Sequence, residues 1–91
     1  KAEWQRRMKD ARQRLADAER RYWELDQKRR EALEKWGGPA SGRREGLVEA
    51  ERIEQEMRRA QREIDDARNR VEVALPEEAR KAGVPPGWLR E

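Results

Sequence analysis

The chain predicts an all-α fold, an antiparallel two-helix coiled-coil hairpin that ends in a short helical turn and an extended tail. Three observations carry that expectation. Apolar residues recur every 3.5 positions over two long stretches. A single glycine–proline cluster falls between the stretches. Strand formers are scarce, with no Phe, no Thr and no alternating run of Val or Ile. Composition alone would also suit disorder, since 47% of residues are charged and 34% hydrophobic, with a mean hydropathy of −1.45. Spacing decides the matter.

Helix 1 is expected over about residues 2–36. Steps of four and three from Trp4 meet Met8, Ala11, Leu15, Ala18, Tyr22, Leu25, Arg29, Ala32 and Trp36, and only Arg29 breaks the apolar series. The loop is GGPASG, residues 37–42. Gly37 suits the left-handed position after a helix and Pro39 forbids continuation. Helix 2 is expected over about 43–75, where Ala50, Ile53, Met57, Ala60, Ile64, Ala67, Val71 and Ala74 all fit the same repeat. Two helices of equal length around a short loop are antiparallel neighbours.

One register then sets Met8 against Ala74, Ala11 against Val71, Leu15 against Ala67, Ala18 against Ile64, Tyr22 against Ala60 and Leu25 against Met57. It also places Trp36 over Gly46. Most layers pair a large side chain with alanine, which lets the helices approach closely and still fill space. A one-heptad slip gives a similar alternation, but the first register leaves a roomier loop. Acid-before-base pairs four residues apart support both helices, among them Glu3–Arg7, Asp10–Arg14, Asp17–Arg21, Asp26–Arg30 and Asp66–Arg70. Each contributes only ~0.2–0.5 kcal/mol.

Pro76 should end helix 2 as a continuous rod and open a new helical turn over 76–83. Pro76 would take the first position, Glu77 and Glu78 would face the positive end of the dipole, and Gly83 would stop it. Residues 84–91 read as extended or turn-like around Pro85-Pro86. Trp88 and Leu89 have no periodic neighbours. They fold back near Trp4 and Met8, serve as a short anchor for another protein, or stay disordered.

The ending LPEEARKAGVPPGWLRE, residues 75–91, resembles that of helical-hairpin proteins, some of them lipoproteins, from GC-rich bacteria such as the myxobacteria. The resemblance covers less than a fifth of the chain. It implies a bacterial protein and favours an envelope or secreted location over the cytoplasm, without implying any chemistry. The first residue is Lys1 rather than Met, as expected of a processed product or a piece of a longer protein.

The residues also exclude function classes. There is no Cys and no His, which removes thiolate metal sites, most zinc sites, the commonest general base and most nucleophilic dyads. Adjacent acids such as Asp65-Asp66 diverge by about 100° on a helix, so they form no catalytic pair. GGPASG has neither a phosphate-loop lysine nor a preceding strand. No catalytic, cofactor or metal role is expected, and no apolar run reaches membrane-spanning length.

A non-catalytic interaction or scaffold module remains. A single two-helix seam rich in alanine buries little against the cost of ordering, so further burial is expected, either in a four-helix homo-oligomer or on another protein. Trp23 is the most informative single residue, either packed flat on arginine stems or serving as an intermolecular anchor. It lies outside the seam, on a face otherwise bearing Arg20, Asp26, Gln27 and Arg30. Leu33 and Leu47 add apolar surface near the loop, as do Val48 and Val73 elsewhere. Trp88 and Leu89 complete the candidate interface. Arg29, at a core position, would snorkel and reject other registers.

The alternative is a basic nucleic-acid-binding arm. Net charge is +3 overall, but residues 1–36 hold 12 basic and 8 acidic groups. Helix 1 carries Arg6, Arg7, Lys9, Arg12 and Arg14, and the candidate phosphate contacts are Arg6, Arg7 and Arg14 with Arg43 and Arg44 beside the loop.

Overall fold

The computed structural model describes residues 1–35 and 43–90, and every secondary-structure element among them is helical. The fold is all-α. In chain order the elements are α1 (Ala2–Lys35), α2 (Arg43–Asn69), a π-helical turn (Arg70–Ala74), α3 (Leu75–Lys81) and α4 (Gly87–Arg90). Trp36 and the expected loop at 37–42 lie outside the described residues. No helix among those described is long and apolar enough to cross a membrane.

Local sequence accounts for the two long helices. Each places an acid in its first turn, Glu3 or Glu45, and a base in its last, Lys35 or Arg68, matching the helix dipole. Neither contains an internal proline. The chain divides into two compact units, one of Lys1–Ala18 with Glu63–Glu91, the other of Glu19–Arg62.

In the second unit α1 packs on α2. Ala32, Ile53 and Met57 form a buried cluster against which Tyr22 and Leu25 pack, and Ala50 and Ala60 are buried as well. Arg29 Nη1 reaches Glu54 Oε1 at 3.6 Å. That contact fits the register that sets Leu25 opposite Met57, because the next layer puts Arg29 opposite Ile53. Gly46 is also buried, although its neighbours Leu47 and Val48 are exposed.

The first unit has a differently built core. Met8 and Ala11 of α1 meet Leu75, Ala79 and Leu89, with Trp4, Val71 and Val84 packed around them. Leu75 is the most completely buried large side chain described, at 0% exposure. The seam expected from the heptad continues through Val71 to Ala74, yet Leu75 and Ala79 occupy the core. The π turn supplies the reason. Pro76 has no N–H, and its ring would strike the carbonyl four residues back. The backbone widens just before it, and the Leu75 N–H donates to Arg70 O, five residues back. One extra residue in the turn rotates everything beyond it by about 100° relative to a regular helix. The stripe therefore shifts from Ala74 to Leu75, then to Ala79 one turn on.

The helical path consequently passes beyond the expected end at 75, with Pro76 in the first turn of α3. The stop is at Gly83, whose φ of +76° only glycine adopts without strain. Gly83 N–H donates to Arg80 O at 3.1 Å and Val84 N–H to Ala79 O at 2.9 Å. Those two bonds are the Schellman pattern, and its customary apolar contact follows, since Val84 packs on the cluster that contains Ala79. On the exposed side of α3, Arg80 holds Glu77 through Nε–Oε2 (3.1 Å) and Nη2–Oε1 (2.5 Å). The hydrogen bond from Arg80 keeps the Glu77 carboxyl below its ordinary pKa, and the same bond raises that of Arg80.

The segment after Gly83 takes the turn-like alternative and not the extended one. The Pro85 and Pro86 carbonyls accept from Trp88 N–H (3.1 Å) and Leu89 N–H (3.2 Å), which folds 87–90 into α4. Proline can accept although it cannot donate, so the Pro-Pro pair opens a turn as readily as it prevents one.

Candidate functional site

The face of α1 around Trp23 carries Arg20 and Arg30 of the other residues that the sequence nominates. A helix places residues three and four apart side by side, so Trp23 neighbours Arg20, Asp26 and Gln27. Trp23 is 63% exposed, and its ring stands edge-on to Tyr22, with centroids 5.3 Å apart and planes at 87°. Tyr22 packs on the Ala32–Ile53–Met57 cluster and gives Trp23 a rigid backing. Arg20 pairs loosely with Glu24 at 3.9 Å. An edge-on aromatic pair holds the ring in one orientation. That keeps low the entropic cost of presenting Trp23 outward.

Asp26 is the residue sequence reasoning misplaced. It was expected on the solvent face and is instead 7% exposed, the buried charged residue of the described core. Burial of a carboxylate is costly unless it is paired, and here it is paired twice. Oδ1 accepts from Arg29 Nη2 at 2.9 Å, and Oδ2 faces Arg30 Nη2 at 3.0 Å. Arg29 in turn reaches Glu54 on α2. Its head is turned sideways along the helix surface into this cluster, and its buried Nε has no hydrogen-bond partner. The sequence signal was present in the Asp26–Arg30 spacing. It became a buried site only because Arg29, at a core position, brings its charge to the same carboxylate.

The other nominated residues differ in exposure. Leu33 is 40% exposed and Leu47 56%. Val48 and Val73 are also exposed. Leu89 is 7% exposed within the core of its own unit, and Trp88 beside it is partly buried. The tail thus takes the fold-back alternative, and Leu89 offers no free anchor. Arg12 Nη2 donates to the Leu89 carbonyl at 2.9 Å.

Among the candidate phosphate contacts, Arg6, Arg14 and Arg44 are exposed. Arg7 is engaged, bonding Glu3 at 2.6 Å and lying 4.7 Å from the Trp4 ring centroid. The side chain of Arg43 lies outside those described. No family model matches the chain, and no curated protein or solved structure matches it.

Proposed function

We propose that this chain is a non-catalytic interaction or scaffold module. Its two long helices form an antiparallel coiled-coil hairpin, and Trp23 is the anchor through which it associates with a further copy of itself or with another protein. The observation that carries this reading is the pairing of an exposed tryptophan with a rigid, fully built support. Tyr22 backs the ring from the core, and Asp26, Arg29 and Arg30 lie beside it on the same helix, with Glu54 of α2 completing their cluster. Aromatic anchors of this kind dominate interface energetics when a ring of polar groups surrounds them. The modest, alanine-rich core of each unit adds a thermodynamic motive for association.

Sedimentation equilibrium with thermal melts over a range of protein concentrations tests the reading. The chain should associate, and its melting temperature should rise with concentration. Trp23→Ala should abolish the concentration dependence and leave the helicity of the dilute protein unchanged, because the ring is largely exposed. A fully folded monomer whose melting ignores both concentration and Trp23→Ala, and which retains no partner protein, contradicts the proposal.

A further inference from the structure

A second surface, in the other compact unit, has the opposite character. A shallow open depression on α1 is lined by Gln5, Arg6, Lys9, Arg12 and Gln13. Three of these are cations and two are amides. No carboxylate and no apolar side chain lines it. Asp10, four residues from Arg6, is not among the lining residues. Among the described residues Arg6 and Lys9 have no ion-pair partner. Arg12 is held by the Leu89 carbonyl, a neutral acceptor that positions the guanidinium and leaves its charge in place. Arg7, the neighbouring cation, is already neutralised by Glu3.

We infer that this face binds a polyanionic backbone, that of a nucleic acid, through Arg6, Lys9 and Arg12. The composition of the lining argues for that partner. A protein interface needs an apolar core, and an interfacial membrane helix needs an apolar face to insert; the depression has neither. Phosphate contacts need only cations and amide donors. The three cations follow one another at i, i+3 and i+6, about 9 Å along the axis. A duplex presents one negative charge per about 1.7 Å, about five over that length, so each of the three cations can meet a phosphate. Arg12, fixed in advance by the folded tail, gives up less side-chain freedom on binding than a free arginine.

The test measures binding of the full chain to a labelled DNA duplex and to a single-stranded RNA between about 50 and 200 mM salt. Three neutralised phosphates predict a log–log salt slope near −2.7 on duplex DNA, about −0.9 per contact. Arg6→Gln with Lys9→Gln should bring the slope near −0.9. The control is Arg58→Gln with Arg62→Gln, which removes the same charge from exposed positions on α2 and should leave the slope unchanged. Circular dichroism of both variants checks that the helices persist. Equal loss in the two double variants would mean that net charge alone is responsible and would overturn the inference. So would salt-insensitive binding, no binding at the lowest salt, or binding to anionic lipid vesicles with none to either nucleic acid.

Discussion

At the residue scale, Asp26 shows how position and partner together set the cost of a charge. A lone carboxylate at 7% exposure would be strongly unfavourable, and Arg29 and Arg30 make it tolerable. Asp26→Ala should therefore destabilise the chain by about 1–3 kcal/mol in urea unfolding, below the range for fully buried pairs because the Arg29 side chain is a third exposed. Asp26→Leu combined with Arg29→Leu should recover most of that loss, since neither charge is then stranded. If the double variant is as unstable as Asp26→Ala, the cluster contributes more than mutual compensation. Gly83 is a simpler case. Its φ of +76° is strained for any residue with a Cβ, although a methyl group there would meet nothing within 4 Å. Gly83→Ala should cost about 1–2 kcal/mol through backbone strain alone, read as a lower urea midpoint at unchanged slope.

At the scale of an element, Pro76 and the π turn act as one device. Proline in a helix interior costs about 3 kcal/mol relative to alanine, so Pro76→Ala would ordinarily stabilise a helix. Here that gain should be missing. Without the proline the π turn loses its cause, and a regular helix would carry Leu75 out of the core it fills. The expected result is a melting temperature no higher than that of the parent protein. A rise of the full propensity value would show that the seam tolerates either phase.

Helix α3 also has a defined pH response. The folded-state pKa of Glu77 is depressed, so the stability it contributes is complete above its unfolded value of 4.5 and is lost as pH falls through the lower folded value. Both side chains are largely reached by solvent and screened, so the effect should be small and should shrink further in salt. Comparing melts of the parent and Glu77→Gln at pH 7 and at successive pH values below 4.5 checks the sign, because the difference must narrow as pH falls through that range.

At the scale of the whole molecule, the tail and the long helices depend on one another. Leu89→Ala removes the side chain that α4 contributes to the Met8–Ala11–Leu75–Ala79 cluster. About 2–5 kcal/mol is the usual cost of such a truncation, and the lower end is expected in a small core. It should also free the Arg12 guanidinium from the Leu89 carbonyl. Deuterium exchange over 84–90 should then accelerate ahead of global unfolding.

Much of this architecture was legible in the residues themselves. The 3.5-residue repeat named Met8, Ala11, Ala18, Ala32, Ala50, Ile53, Met57, Ala60 and Ile64, and all nine are buried. Periodicity is a property of the local chain, so it can be read without knowing what a helix packs on. The exposed Trp23 was legible for the same reason, as an aromatic off the stripe. What periodicity could not show was any change of phase or any contact between residues far apart in sequence. The shift from Ala74 to Leu75 arises from a backbone widening that Pro76 forces. Leu89 reaches the core through a turn built on two proline carbonyls, and Asp26 is buried because Arg29, Arg30 and Glu54 converge where it lies. Sequence by itself determined the helices, their stripe and the lone tryptophan. The tertiary structure decided which charges are buried, where the stripe changes register and which end of the chain is tied down, because each of those depends on groups that only folding brings together.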